Sequence, residues 1–318
     1  MMDSFLNLNS RQPVLVLGAA GMDVVGRLEA DLKPASSNPG RIRRSYGGVA
    51  RNVAENLARL GQAVQLITVV GEDTNGDEIL EHTSKAGVDV SAVLRSKDYP
   101  TGYYMGVVDK HGMLQYAVDD MRLLEKITTT YLKEHEELFK SASMVFVDAN
   151  LPVKTLRTVS SLARRAKIPV CADTAAFTLA KRLIKFLPKY YLVTANSKEA
   201  GVLTGLSFEA SDSETAMEAA RSLVNQGVRI ALVTLAEYGV VYATSETTGH
   251  ISAIRTRISD PTGAGDAMTA AVLFALLNDI DLDDAIRLGV SAASLTLRHP
   301  GSVYPQLSLE ALYDQLLV

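Results

Sequence analysis

A carboxylate and two glycines lie where a loop turns into a helix, near the C-terminal end of the chain. The loop is Asp260–Asp266, with the sequence D-P-T-G-A-G-D. Small residues let backbone N–H groups crowd around an anion, and a helix N-terminus adds unpaired donors and the positive end of a dipole. The pattern predicts phosphoryl transfer, with Asp266 as the general base that accepts a hydroxyl proton. The predicted anion hole is the backbone of Gly263, Ala264 and Gly265.

Other interpretations of this loop make different predictions. An ordinary tight turn before an acidic first helical turn would use the same residues, because aspartate is common there. A Walker A loop would need a Gly-Lys pair, which the sequence lacks, and a dinucleotide fingerprint would need a third glycine where Met268 stands. The apolar residues after the loop fall on one stripe and predict an amphipathic helix; they are Met268, Ala271, Val272, Ala275 and Leu276.

A second glycine pair opens another predicted helix, within Gly47–Gly61. Gly47 and Gly48 permit close approach of a ligand to the backbone. Asn52 lies one turn into the helix, where its amide can donate to and accept from a sugar diol. The residues predicted to face the core are Val53, Leu57 and Leu60. Taken alone, the motif favours a plain helix start with Asn52 as a solvated polar residue.

Composition and charge exclude several classes of protein. The 318 residues suit one large α/β domain or two small ones, and 47% hydrophobic with 21% charged residues is ordinary for a globular chain. A net charge of −4 argues against nucleic acid as a partner. The single Cys171 allows no disulfide within the chain and favours a reducing compartment, so we expect a cytoplasmic protein. Residues 1–13 form a polar tail without signal-peptide character, and no apolar stretch reaches the roughly 18 residues that span a bilayer, so no membrane partner is expected.

Short apolar runs alternate with helical patterns along the chain. The predicted strands are Val14–Gly18, Val64–Val70, Met144–Asp148, Ile168–Ala172, Tyr191–Thr194 and Ile230–Leu235. The predicted helices include Val49–Leu60, Thr155–Ala166 and Ser213–Gln226. This alternation predicts a largely parallel sheet with helices on both faces.

One region departs from the alternation. Gly102–Asp109 and Met113–Val118 are typical of a hairpin that turns at Lys110-His111-Gly112. With the stretch from about Asp23 to Tyr46, the hairpin could form a small second sheet. Such a sheet over the C-terminal edge of the large one would be a lid that excludes water while an alcohol is phosphorylated. The alternative is an insertion without a catalytic role.

The two glycine motifs, at these relative positions, resemble those of the ribokinase-like (PfkB) family of sugar and nucleoside kinases. Asp260–Asp266 matches the family's D-x-x-G-A-G-D signature, and Gly47–Gly61 matches G-G-x-x-x-N-x-A-x-x-L-x-x-L-G. The resemblance runs from Val14 to about Pro305. It implies a ribokinase-like three-layer α/β/α sandwich with a mainly parallel central sheet and a small β-sheet lid. It also implies one kinase domain over residues 14–318, with lid segments at about 23–46 and 99–120.

The same resemblance implies sites for ATP, Mg²⁺ and a monovalent cation such as K⁺. Asn196 and Glu199 match the N-x-x-E motif, which organises Mg²⁺ and phosphate largely through water. Ala236 stands in place of the first glycine of the nucleotide-holding T-x-G-x-x-G strand and loop. The implied nucleotide contacts are Asn196, Thr234, Gly239, Thr262, Gly263 and Gly265. The implied monovalent-cation site comprises Asp260, Thr262 and the carbonyls near Ser294, His299 and Gly301.

Several fragments look more like the pseudouridine kinases than like other branches of the family. They are Ser37–Ile42, Val49–Asn52, Asp120-Met121, Ile127-Thr128 and Asp148–Asn150. This implies transfer of the γ-phosphoryl group of ATP to the ribose 5′-hydroxyl of a small nucleoside. Gly21 stands where the family usually has an asparagine beside its sugar-binding aspartate. The implied substrate contacts are Asp23, Gly47, Gly48 and Asn52 for the ribose, and Tyr103, Asp120, Met121 and Asn150 for the base.

Two alternatives remain open at this point. The chain could be a kinase for another nucleoside or sugar, such as adenosine, inosine or ribose. It could also be a ligand-binding relative without catalysis, although such a relative would be expected to have lost Asp266.

The lid aromatics could pack between subunits instead of against a base. Because exposed strand edges are usually covered, we expect two lids to pair edge to edge in a homodimer.

Overall fold

The central sheet forms from the apolar runs that predict strands. A computed structural model describes residues 10–111 and 113–317, so most of the predicted N-terminal tail and the hairpin-tip Gly112 lie outside the described residues. Eight strands form this sheet, in the order β14-β13-β12-β11-β10-β9-β1-β4. They are β1 (Val14–Leu17), β4 (Val64–Ile67), β9 (Met144–Asp148), β10 (Val170–Asp173), β11 (Leu192–Asn196), β12 (Ile230–Thr234), β13 (Val240–Ala243) and β14 (Thr248–Ile251).

Strands β1, β4 and β9 to β12 pair in parallel, as predicted, whereas β13 and β14 form an antiparallel extension at one edge. The single strand predicted over Val64–Val70 is wrong. Thr68 interrupts it, because its hydroxyl donates to the carbonyl of Gly18 (2.6 Å) and its own carbonyl accepts from Leu94. The chain then leaves the central sheet and forms a two-stranded sheet from β5 (Val69–Gly71) and β6 (Leu94–Ser96).

Helices cover both faces of the central sheet, which gives the predicted three layers. One face carries α1 (Val49–Arg59), α8 (Ala264–Leu277), α9 (Leu282–Leu297) and α10 (Leu309–Leu316). The other carries α3 (Thr129–Glu134), α4 (Glu136–Ser141), α5 (Val153–Ala166), α6 (Ser197–Thr204) and α7 (Ser213–Asn225). Helix α2 (Thr74–Lys85) packs against β5 of the two-stranded sheet and against the separate four-stranded sheet described below. None of these helices, within the described part of the chain, is long and apolar enough to cross a bilayer.

Two helices show how well the apolar patterns predict burial. In α1 the predicted core residues Val53, Leu57 and Leu60 are buried. The prediction that α8 is amphipathic is wrong, because every residue from Ala267 to Leu277 is buried. Helix α8 packs against both α1 and α9 as well as the sheet, so it has no solvent face.

The predicted lid is a four-stranded sheet in the order β3-β2-β7-β8. Its strands are β2 (Gly21–Leu28), β3 (Gly40–Gly47), β7 (Gly102–Val108) and β8 (Leu114–Asp120), so it begins two residues before the predicted Asp23. Register places Asp23, Ser45, Tyr104 and Asp119 side by side on one face, which we call the inner face. The opposite, outer face carries Met22, Tyr46, Tyr103 and Asp120.

Candidate active site

The candidate site lies along the C-terminal ends of the parallel strands. Asp148 ends β9 and is level with Asp173, which ends β10. Asn196 ends β11 and is level with Thr234, which ends β12. In open α/β sheets this edge is where ligands bind, because the loops that follow the strands meet there.

The start of α8 supplies the predicted anion hole. Gly263 is the N-cap and has φ 79°, a left-handed conformation, and a Cβ there would collide with the carbonyl of Ser302. Around Gly265, by contrast, a Cβ would meet nothing within 4 Å. The helix therefore presents its first backbone N–H groups beside open space, where a phosphate could approach.

Asp266 lies in the first turn of α8 and contacts helix α1. Its Oδ2 accepts a hydrogen bond of 2.6 Å from Nδ2 of Asn52 on α1. Burial raises the pKa of Asp266 to about 7; the bond from Asn52 opposes this, and the nearby carboxylates of Asp148 and Asp23 reinforce it. A carboxylate with a pKa near neutrality is matched to accepting and releasing a proton.

Asp23 faces the same space from the inner face of the lid. It is buried beside Gly47, where a Cβ would collide with its carboxylate. Burial raises the pKa of Asp23 to about 6, although the charges of Arg51 and Arg43 oppose the shift. A glycine is thus required at position 47, because the carboxylate of Asp23 lies too close for any side chain there. The structure brings Asp23, Gly47, Asn52 and Asp266 together.

Asp148 is a site residue that the sequence analysis does not assign. It is fully buried, and its Oδ2 accepts from the backbone N–H of Ala19 (2.8 Å) and of Ala50 (3.0 Å). Its Oδ1 accepts from the N–H of Asn150 (2.9 Å). Asp148 therefore joins the loop after β1 to the first turn of α1. The sequence signals it only through its position at the end of an apolar strand and through the resemblance of the Asp148–Asn150 fragment, neither of which gives it a role.

Arg51 is a second unassigned residue, and it fixes the loop before α1. Its guanidinium donates to the carbonyls of Gly47 (3.1 Å) and Tyr46 (3.0 Å) and to the hydroxyl of Ser302 (3.1 Å). It also donates to the side-chain oxygen of Asn52. Because one planar guanidinium bonds to all four residues, it sets the position of Asn52 relative to the loop before α1 and to the loop that carries Ser302.

Glu55 balances the charge of Arg51 in the interior. Its carboxylate is buried and binds Arg51, Arg59 (2.6 Å) and His82 (3.2 Å). Burial alone would raise the pKa of Glu55, but the hydrogen bond from His82 and the charge of Arg51 outweigh it and hold the pKa at about 2. The ion pair is therefore intact at all pH values at which the protein would work.

The predicted nucleotide side of the site lies across β11 and β12. Asn196 caps α6, and its side chain accepts from the N–H of Glu199 (3.0 Å), while Glu199 accepts from the N–H of Asn196 (2.9 Å) and from the hydroxyl of Thr174 (2.6 Å). Within the described residues, no three acidic, histidine or cysteine groups converge as direct metal ligands. If Mg²⁺ binds here, Asn196 and Glu199 are the residues that would hold it through its water shell.

The loop after β12 holds Gly239 and Ala236 in positive-φ conformations. Gly239 has φ 102°, and a Cβ there would collide with the carbonyl of Ile251. Ala236, which replaces a family glycine, has φ 50°. The loop thus keeps a glycine-like backbone at Ala236 despite the side chain, at a modest conformational cost.

Comparison with known proteins identifies the family. The model of the pfkB family carbohydrate kinases matches residues 11–308. The chain belongs to this family. It is 29% identical over 303 residues to a pseudouridine kinase of Escherichia coli, covering 95% of this chain and 96% of that protein. It is 30% identical over 286 residues to a guanosine-inosine kinase of Exiguobacterium acetylicum, covering 88% and 93%.

A solved structure of a carbohydrate kinase from Agrobacterium tumefaciens matches with a TM-score of 0.81 at 29% identity, covering 96% of this chain and 97% of that one. The ribokinase-like three-layer fold with its small separate sheet is thus confirmed. The chain is accordingly a sugar or nucleoside kinase of the pfkB family.

Two residues predicted to contact the base lie elsewhere in this pfkB kinase. Tyr103 is on the outer face of the lid, where its hydroxyl accepts from Nδ2 of Asn75 (2.7 Å) on α2. Asp120 is on the same outer face and pairs with Arg122, whose hydrogen bond lowers the pKa of Asp120. The alternation of side chains along β7 and β8 explains both corrections, because residues level with Met22 point away from Asp23.

The other predicted base contacts stay near the site. Met121 follows β8 and lies against Gly102 and Gly21, close to the base of the lid. Small residues are needed there, since a Cβ at Gly21 would collide with the carbonyl of Gly102. Asn150 follows Asp148, and its carbonyl accepts from Arg182 (2.8 Å). Contact of Met121 or Asn150 with a base stays a prediction.

The predicted monovalent-cation residues surround Asp260 only in part. Asp260 is buried and accepts from the N–H of Thr262 (3.0 Å) and of Gly301 (3.2 Å). Ser294 lies inside α9, where its hydroxyl accepts from Gln315 (3.4 Å) on α10. His299 follows α9 and has a buried Nδ1 without a hydrogen-bond partner, and burial lowers the pKa of His299.

Proposed function

We propose that this kinase transfers the γ-phosphoryl group of ATP to the ribose 5′-hydroxyl of pseudouridine. The observation that carries the proposal is the hydrogen bond between Asn52 and Asp266. It places the predicted general base beside a residue suited to hold a sugar diol, so a hydroxymethyl group on that sugar would lie within reach of the carboxylate.

Each of the site residues has one role in the proposed reaction. Asp266 accepts the proton of the substrate hydroxyl while the oxygen of that hydroxyl forms a bond to the γ-phosphorus. At the same time the bond between the γ-phosphorus and the β–γ bridging oxygen breaks. The N–H groups of Gly263, Ala264 and Gly265 bind the phosphoryl oxygens as charge moves onto the leaving ADP. Mg²⁺, when bound, neutralises the phosphate charge, and Glu199 and Asn196 are the residues that would hold its water shell.

Asp23 and Asn52 hold the ribose hydroxyls in this proposal. Both are buried; Asp23 lies against Gly47, and Asn52 bonds to Asp266. Asp23 can accept from two hydroxyls when ionised, and Arg51 fixes Asn52 through its amide oxygen. Protonation of Asp23 below about pH 6 would remove one acceptor and weaken ribose binding.

The choice of pseudouridine is supported by the fragments around Ser37–Asn52 and by the relative of that name. A second candidate is a purine nucleoside, which the similarity to a guanosine-inosine kinase favours. With Tyr103 and Asp120 on the outer face, the base would instead meet Met121, Asn150 and Tyr104 of the inner face.

A substrate panel tests the proposal. Purified protein is incubated with ATP and Mg²⁺ and with pseudouridine, uridine, inosine, guanosine, adenosine or ribose, and ADP release is followed. We expect pseudouridine to give the highest kcat/KM, with a 5′-monophosphate product identified by ³¹P NMR. Faster turnover of guanosine or inosine would support the second candidate, and ADP release with none of them would contradict nucleoside or ribose phosphorylation.

We also propose that two copies pair through the outer faces of their lids. Exposed apolar side chains share that face, with Ile42 80%, Met105 57%, Tyr116 63% and Val118 71% accessible. Because the apolar surface lies on the face of the lid sheet, we propose that the lids meet face to face, with the predicted edge-to-edge pairing as the alternative. Val118→Lys should halve the mass measured by light scattering, whereas the inner-face control Ala117→Lys should not.

A further inference from the structure

Arg43 extends from the lid to the loop that carries the predicted anion hole. It lies on β3, level with Val25 and on the same inner face as Asp23. Its guanidinium forms an ion pair with Asp260, whose side chain is only 4% exposed, while that of Arg43 is 35% exposed. Asp260 begins the loop that ends at Asp266, so a lid residue is bonded to the catalytic loop.

The pairing occupies the carboxylate that the family resemblance assigns to a monovalent cation. Oδ1 of Asp260 already accepts from the N–H of Thr262, and Oδ2 accepts from the N–H of Gly301 and from Arg43. An alkali cation requires a set of converging oxygens. Here two N–H groups and a guanidinium already donate to the carboxylate of Asp260. This donor set does not fit the cation.

Electrostatics argues the same way. Two positive charges at one buried carboxylate repel each other, and a guanidinium is always protonated. Burial and then the charge of Arg43 lower the pKa of His299, which disfavours a further positive charge beside the guanidinium. Nε of Arg43 and Nδ1 of His299 are both buried without a hydrogen-bond partner, although the Arg43 side chain as a whole is partly exposed.

We propose that Arg43 takes the place of the monovalent cation. Its positive charge neutralises Asp260 and holds the loop in the conformation that presents Gly263–Gly265 and Asp266. Because the charge belongs to the lid, the loop is held only when the lid is closed. Arg43 is therefore a positioning residue that couples substrate enclosure to formation of the anion hole, and the kinase needs no K⁺. The inference rests on the proposed phosphoryl transfer for its activity measurement alone.

The experiment compares chloride salts of K⁺, Na⁺ and tetramethylammonium at equal ionic strength. For the wild-type protein we expect kcat/KM and Tm to differ by less than about twofold and about 1 °C between the salts. For Arg43→Ala we expect kcat/KM to fall at least about tenfold, with at least about threefold recovery when millimolar guanidinium ion is added. Arg43→Lys, which keeps the charge, should retain more activity than Arg43→Ala.

Arg44→Ala is the matched control. Arg44 is the next residue of β3, points to the outer face and pairs with Glu78, so its loss should leave activity near wild type in every salt. Activation of the wild type by K⁺ of about fivefold or more, or an Arg43→Ala variant with over half of wild-type activity, would overturn the inference.

The Tm comparison needs no substrate, so it separates this inference from the proposed function. A K⁺-specific rise in the Tm of the wild type would contradict the role of Arg43 even if pseudouridine is phosphorylated. The absence of such a rise would support it even if another substrate is the true one. If Arg43→Ala does not fold, the wild-type salt series and Arg43→Lys still decide the question.

Discussion

Replacing Asp266 by asparagine separates the chemistry of the site from its packing. The amide oxygen of the new side chain can accept the hydrogen bond from Asn52 that Oδ2 accepts now at 2.6 Å. The shape and this contact are kept, and only the proton acceptor is lost. We expect kcat to fall by about 10²–10⁴-fold, with the KM for ATP little changed.

The same substitution should stabilise the fold, because the native carboxylate is costly to ionise. Burial raises its pKa from 3.8 to about 7, which corresponds to at most about 4 kcal/mol at high pH. Asp266 is partly accessible, so solvent screening reduces this amount. We expect Asp266→Asn to gain about 1–2 kcal/mol at pH 8, equivalent to a Tm higher by roughly 2–5 °C.

The pH dependence has a definite sign. In the window between pH 3.8 and about 7 the folded protein binds a proton at Asp266 that the unfolded chain has released, so the stability from this group is lost as pH rises. The Tm of the wild type should therefore fall relative to Asp266→Asn across that window, and the difference should stay constant above it. Turnover changes in the opposite direction, since kcat/KM should decrease below about pH 7 as the base is protonated.

Two assays check this prediction together: a coupled assay of ADP release, and differential scanning fluorimetry from pH 5 to 8. Asp284→Asn is the matched control, because Asp284 is also in the first turn of a helix, α9, but is exposed. It should change neither activity nor the pH profile. An Asp266→Asn variant with more than about a tenth of wild-type activity, or one less stable than wild type at pH 8, would refute the reasoning.

Three further predictions address the metal, the lid and the loop before α1. Glu199→Gln should raise the Mg²⁺ concentration for half-maximal rate at least about threefold in a metal titration and leave the nucleoside KM nearly unchanged; the reverse pattern would misassign the residue. Hydrogen exchange over Gly102–Val118 should slow when saturating nucleoside is added, and unchanged exchange would count against a lid. Arg51→Lys should raise the nucleoside KM at least about fivefold in steady-state kinetics, because an ammonium cannot bond to both loops, whereas Arg59→Lys on the same helix should not; equal effects would show that Arg51 acts only on stability.

The apolar periodicity was sufficient to predict the central architecture. The runs Met144–Asp148 and Ile230–Leu235 predict strands that the structure has within a residue. The sequence does not predict β13 and β14, because each has only four residues, too few to show a period, and β14 is also partly exposed. Helix α8 was misassigned as amphipathic, since its burial on all sides depends on α9, which follows it in the chain.

The candidate site was predictable only where backbone constraints require particular residues. Glycines at Gly48 and Gly263 have φ 93° and 79°, so their presence in the sequence reports a turn at the site. The roles of Asp148 and Arg43 could not be predicted, because their partners are far along the chain: Asp148 bonds to Ala19, 129 residues away, and Arg43 to Asp260, 217 residues away. The sequence also does not show which face of the lid a side chain lies on. Tyr103 is predicted to contact the base, and only the strand register places it on the outer face.

Internal competition between two nucleosides tests the central claim most directly. Equal amounts of pseudouridine and uridine are mixed with limiting ATP and the kinase, and the two 5′-monophosphates are separated by chromatography, so that their ratio gives the ratio of kcat/KM values. A site that hydrogen-bonds the N1–H of pseudouridine, which uridine lacks, leaves its own polar group unpaired with uridine. We expect at least about tenfold more pseudouridine product, equivalent to roughly 1.4 kcal/mol. Equal amounts of the two products would contradict it.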